Sequence, residues 1–186
     1  MGKVHWLFEE IRKLHVELRD DIMGKFARSL PLADELTDRW ERARFLGFGE
    51  DTTIYDSVLV IGNVKVGSNT WIGPGCVLDG SGGLEIGDFC SVSASCHIYS
   101  HDTIDWALSG GKIEAKRLPT SIGSYCYLGP HSVITAGVKI GNHCLIGANS
   151  LVKNDVSDYS FVAGNPAEIK GTVIVKESGE IEICKK

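Results

Sequence analysis

Aliphatic residues recur through the middle of the chain with a period of six. They stand at Ile54, Val60, Val66, Ile72 and Leu78, resume after a two-residue slip at Ile86, Val92 and Ile98, and continue at Ile122, Leu128, Ile134, Ile140, Ile146 and Val152. Two residues before most of them is a small or β-branched side chain: Val58, Val64, Thr70, Cys76, Cys90, Cys96, Cys126, Ser132, Val138, Cys144 and Ser150. Positions i−2 and i lie on one side of a strand, so each hexad supplies a short strand with one inward-facing pair. Gly67, Gly73, Gly87, Gly123, Gly129, Gly141 and Gly147 follow directly, and glycine permits tight turns and positive φ. Neither an amphipathic helix nor a hairpin ladder has this period, whereas a triangular coil of three hexads closes and stacks on the next. The pattern predicts a mainly β fold, a parallel β-helix of nearly five coils, about 22 Å tall at the usual strand spacing.

The flanks carry other patterns. Leu7, Ile11, Leu14, Leu18 and Ile22 recur at helical spacing, as do Leu32, Leu36 and Trp40 after Pro31, so a helical pair is expected to cap the first coil. Beyond the coils, 173–175 and 181–183 flank Ser178-Gly179 as a weak hairpin signal. The expected organisation is an N-terminal helical cap over 1–49, the β-helix over 50–170 with a loop at 99–121, and a C-terminal extension over 171–186.

Composition narrows the possible partners. The formal net charge is −5 and no basic block exceeds Lys185-Lys186, which argues against nucleic acid as the main ligand. No long apolar run occurs and glutamates appear early, so neither a membrane span nor a secretory signal is expected, and the cytoplasm is the expected location. The six cysteines form no C-x-x-C pair. Five of them, Cys76, Cys90, Cys96, Cys126 and Cys144, occupy the small inward position. With 99–121 looped out, Cys76 stacks under Cys96, and Cys90, Cys126 and Cys144 form one column. They are expected to be reduced core residues.

Between Ile98 and Ile122 the period breaks into a polar, irregular segment, and solenoids project function from such loops. His101 sits at the mouth of this loop, and histidine titrates near neutrality, as a proton acceptor should. Asp102 beside it is the candidate to orient the imidazole. His97 is expected to face outward, and His131 and His143 to lie on turns, with His97 and His143 as ordinary solvated residues. No histidine triad of metal-binding spacing appears, so no metal is expected.

The segments Ile86 to Asp102, Ile122 to Gly147, and Ala163-Gly-Asn-Pro-Ala167 resemble the hexapeptide-repeat acyltransferases, nearest the galactoside, maltose and polysaccharide O-acetyltransferases, over roughly residues 50–170. The resemblance implies a left-handed coil, although parallel crossovers are normally right-handed. It further implies an acetyl-CoA-dependent homotrimer with active sites between subunits, and His101 as general base. Carried over to this sequence, the CoA groove takes Tyr127 at a usually aromatic position, Pro130 on a neighbouring turn, and Ala136, Ala148 and Asn149 at small turn positions. Lys153 and Asn154 replace a Thr-Lys pair, and Glu168 stands where relatives carry a basic residue, with Lys170 two positions on as its substitute.

The expected chemistry is direct transfer. His101 takes a proton from a sugar hydroxyl as it attacks the thioester, and backbone N–H groups hold the developing oxyanion. The acceptor is expected to be a saccharide or its precursor, with N-acetylation of a nucleotide-linked amino sugar as the alternative. A cysteine nucleophile, a metal-dependent hydrase and a non-catalytic assembly subunit are the rival readings.

Overall fold

The computed structural model describes residues 2–185; Met1 and Lys186, the ends of the first and last segments, lie outside the described residues. Short parallel strands stack in three faces. One inward column runs Ile54, Ile72, Val92, Leu128, Ile146 and Val162. A second runs Val60, Leu78, Ile98, Ile134 and Val152, and a third runs Val66, Ile86, Ile122, Ile140 and Val156. All but the partly buried Val60 belong to the buried core. The stack therefore extends two positions beyond Val152. Val156 follows after four residues instead of six, which hides it from a strict period.

The glycines after the aliphatic positions serve a different purpose from the one expected. None of the seven has positive φ; the left-handed residues come two positions later, at Asn69, Gly75, Phe89, Tyr125, His131, His143 and Asn149, and at the corresponding corners Ser95 and Tyr159. What the glycines supply is space. A Cβ at Gly123 would lie 2.7 Å from the backbone of Gly141 in the next coil, closer than packed atoms can approach. Left-handed backbone is costly for bulky residues. At one corner Phe89, Tyr125, His143 and Tyr159 offset it by stacking, with ring centroids 5.5, 4.6 and 4.7 Å apart and planes within 7°. His143 is thus a rung of an aromatic ladder rather than a free solvated turn residue. His97 does face outward, where its ring meets Tyr99 edge-on.

The cysteines stack as the register requires, and all six are free. Thiol–thiol hydrogen bonds and burial push the Cys76 and Cys126 thiols up, so neither is a ready thiolate. Titration of the denatured, unreduced protein is expected to find six thiols, and fewer would reveal a disulfide. Leu128 is fully buried, so Leu128→Ala should cost about 2–5 kcal/mol in urea unfolding.

The N-terminal residues form α1 (Gly2–Phe26), α2 (Leu32–Leu36) and α3 (Arg39–Phe45). The second predicted helix is divided because Asp38 caps α3, its carboxylate accepting from the N–H groups of Trp40 and Glu41 at 2.9 and 3.0 Å. α2 and α3 cover the first coil: Arg42 donates to the carbonyls of Tyr55 and Val58, and buried Asp34 accepts from the N–H of Asp56. The α1 stripe joins them only toward its C-terminal end, where His15 hydrogen-bonds buried Glu35 of α2 at 2.7 Å and Leu18 and Ile22 are half-buried; Leu7, Ile11 and Leu14 remain exposed. At the other end, Glu168–Val175 pairs antiparallel with Ser160–Ala163 and with Ile181–Lys185, so the hairpin closes one open edge of the stack.

Candidate active site

The loop leaves the second column just after Ile98 and returns at Thr120. Its base is clipped by a two-residue antiparallel ladder, His101 with Arg117 and Asp102 with Lys116. The Thr120 hydroxyl donates to the Tyr99 carbonyl at 2.7 Å, and the Leu118 N–H donates to the Ser100 carbonyl at 2.8 Å. Within the loop, α4 (Ile104–Leu108) follows, and Lys116 pairs with Asp105 at 2.7 Å. These ties fix the backbone of His101.

The imidazole is oriented by Asp79, from the coil below. His101 Nδ1 hydrogen-bonds the Asp79 carboxylate, whose side chain is 0% exposed against 34% for the histidine. Asp79 also accepts from the Ser81 hydroxyl at 2.6 Å, the Ser81 N–H at 3.0 Å and the Ser100 N–H at 3.0 Å. Burial alone would raise this carboxyl, but the bonds from Ser81, Ser100 and His101 outweigh it and hold the group down at about 2. An ionised carboxylate can only accept, so Nδ1 donates to Asp79 and Nε2 is the ring nitrogen left for other chemistry.

It is Asp79 and not Asp102 that holds the imidazole; the Asp102 carboxylate accepts from the Ile104 N–H at 2.7 Å at the start of α4. Asp79 was missed, although the sequence marks it: it falls in the two-residue slip between Leu78 and Ile86. In the structure that slip is an unbroken strand, Val77–Ile86, whose extra residues cradle the loop. Gly82 donates to Ser100 Oγ at 2.8 Å, and a Cβ there would lie 2.2 Å from the Ser100 carbonyl. The slip and the loop are one construction.

His101 lines an open cleft of about 460 Å³ with Tyr99, Asp102, Thr103, Ile104, Thr135, Ala136 and Lys153. Four predicted site residues, His101, Asp102, Ala136 and Lys153, therefore meet, with Asn154 next in chain. Pro130, Ala148 and Asn149 lie on a different corner, across the second face, where the Asn149 N–H donates to the Pro130 carbonyl at 3.0 Å. Tyr127 lines an apolar groove with the aromatic ladder and the hairpin residues Val173, Val175, Ile181 and Ile183. Lys170 is engaged by Glu168 at 2.9 Å, so the charge meant to replace the missing basic residue is already paired. Among the described residues, no group of three or more His, Cys, Asp or Glu is placed to hold a metal, and no helix is long and apolar enough to cross a membrane.

Residues 119–154 match the bacterial transferase hexapeptide (six repeats) family. Serine acetyltransferase 4 of Arabidopsis thaliana is 36% identical over 102 residues, 55% of this chain and 28% of that protein. The chain spans at most about half the length of the curated relatives it matches. Among solved structures, the N-acyltransferase AntD of Bacillus cereus, in complex with dTDP and 3-hydroxybutyryl-CoA, superposes with a TM-score of 0.57 at 23% identity, over 72% of this chain and 89% of that one. A hexapeptide-repeat acetyltransferase of Vibrio cholerae, complexed with acetyl-CoA, covers 88% of this chain and 87% of its own with a TM-score of 0.53 at 21% identity. These likenesses show the shared fold, and the hexapeptide repeat gives the coil its left hand. By its repeat the chain resembles the bacterial transferase hexapeptide family over residues 119–154, and the curated proteins it is similar to include acetyltransferases.

Proposed function

We propose that the protein transfers an acetyl group from acetyl-CoA to a hydroxyl or amine of a sugar, with Nε2 of His101 as the general base. The observation that carries this is the buried, ionised Asp79 holding the Nδ1 proton of His101 at the wall of an open cleft. The base takes the acceptor proton as the acceptor oxygen or nitrogen attacks the thioester carbonyl, and the CoA thiolate leaves. Ala136 and Lys153 border the donor side of the cleft. The small side chain lets the pantetheine approach the backbone, and the ammonium faces the negative charge of the donor.

The active unit is a homotrimer in this proposal. Ala136 and Lys153 stand at one corner of the second face, and Pro130, Ala148 and Asn149 at the other, so one chain cannot bring them to one ligand. The outward residues between them are Leu59, Val77, His97, Val133 and Leu151, mostly apolar, whereas the third face shows Lys65, Glu85, Ser121 and Lys139. An apolar outer face is an interface waiting for a partner, and a neighbouring copy on it completes the groove. Light scattering is expected to give three times the 20.2 kDa chain mass; a monomer carrying full activity would sink this part.

O-transfer to a saccharide and N-transfer to a nucleotide-linked amino sugar need the same base. One curated relative, from Aneurinibacillus thermoaerophilus, is by name a dTDP-3-amino-3,6-dideoxy-alpha-D-galactopyranose 3-N-acetyltransferase, 48% identical over 46 residues, 25% of this chain and 24% of that protein. Thiol release from acetyl-CoA, measured across neutral saccharides and nucleotide amino sugars, separates the two. A melting-temperature rise with acetyl-CoA is expected beforehand. No rise, and no thiol release with any acceptor, would remove the transferase assignment.

A further inference from the structure

A second cleft, of about 410 Å³, lies where α3 and the segment before α2 meet the first three coils. Its chemistry differs from that of the His101 cleft. Two guanidiniums, Arg28 and Arg39, line it, and no Asp or Glu does, in a chain whose net charge is −5. Arg42 and Arg19 each have a carboxylate within 4.0 Å, but among the described residues neither Arg28 nor Arg39 has such a partner. Arg39 is nevertheless held in place. Its guanidinium lies 5.1 Å from the ring centroid of Trp40 and 4.7 Å from that of Tyr55. Trp71 adds an indole that is 65% exposed, on an outward strand position of the same cleft.

Unneutralised guanidiniums beside open aromatic faces match an anion joined to a flat ring. Arginine binds phosphate oxygens in pairs, and indole or phenol faces stack on a base whatever its identity. A neutral sugar would use the aromatic faces and leave both charges idle. Height in the stack is informative too: Thr53, Trp71 and Ser91 place the cleft on coils one to three, level with Asp79 and the root of the His101 loop. Ala148, Asn149 and Lys153 lie on later coils, so the cleft is on the acceptor side rather than the donor side.

We propose that this cleft binds a nucleoside diphosphate, the carrier portion of the sugar acceptor. Its role as part of an acceptor rests on the acyl-transfer reading; the binding itself rests only on the cleft.

The test titrates the full chain with TDP, UDP and ADP, each beside its parent nucleoside, followed by tryptophan fluorescence and calorimetry, with and without saturating CoA. At least one diphosphate should bind saturably and survive CoA. Losing the charge-assisted bonds should weaken it about tenfold or more, both for the nucleoside and in Arg28→Gln and Arg39→Gln. Trp71→Ala, at an exposed position, serves as the check should Arg39→Gln lower the melting temperature. No saturable binding, binding indifferent to all three substitutions, or displacement by CoA would each overturn the proposal. Diphosphate binding without acetyl transfer keeps this proposal and removes the proposed function; transfer to unlinked sugars without diphosphate binding does the reverse.

Discussion

Replacing His101 with Ala is expected to lower turnover by about 10²- to 10⁴-fold, the range a positioned general base supplies, while acetyl-CoA still raises the melting temperature as in the parent. The side chain is one-third exposed, and what fixes the loop is backbone pairing with Arg117 and the Leu118 to Ser100 bond, none of which needs the imidazole. The fold should therefore survive the substitution. Unchanged turnover would strip His101 of its role, and lost CoA binding would make it a ligand-binding residue instead.

The second large effect is expected at Asp79. Asp79→Asn keeps the shape but replaces an obligate acceptor with a group that can donate to Nδ1, which moves the imidazole proton to Nε2 and removes the base. Turnover should fall by about 10²-fold or more with KM for acetyl-CoA little changed. A pH readout separates this positioning role from a merely structural one. The folded carboxyl titrates at about 2, below the usual value near 3.8. Its stabilisation is therefore complete above the unfolded value and is lost as pH falls through the window from about 4 to 2; its size is on the order of 2 kcal/mol. Asp79→Asn should abolish that portion of the acid-induced loss in stability. A variant with the parent's acid profile and full turnover would show that the carboxylate neither orients the base nor stabilises the fold through its charge.

The coil was legible because a strict period constrains many residues at once: a side chain at Ile98 or Ile146 can face only the interior. The proposed site was half legible. The break drew attention to His101, but the group holding its ring was assigned by adjacency, and adjacency misleads in a solenoid. Neighbours in sequence diverge along a strand, while residues about a coil apart touch. Asp79 and His101 are 22 positions apart, near the coil repeat, and the slip at 79–83 was visible without its purpose being so. Val156 escaped for a related reason, since a shortened corner breaks the period without breaking the stack. The Arg39 cleft depends on helices whose packing no repeat dictates. Only the folded arrangement reveals that two arginines there lack acidic partners.

The pairing of Asp79 with His101 across adjacent coils has one more consequence. A chain of near-identical rungs risks folding out of registry, with one rung skipped and its neighbours closed over the gap. The aliphatic columns would barely register the error, since Ile, Leu and Val exchange places at small cost. The acid and the imidazole would, because this pair occurs once in the stack and only correct stacking lets them meet. Under the proposed mechanism, specific activity should therefore report misthreaded molecules that circular dichroism counts as folded.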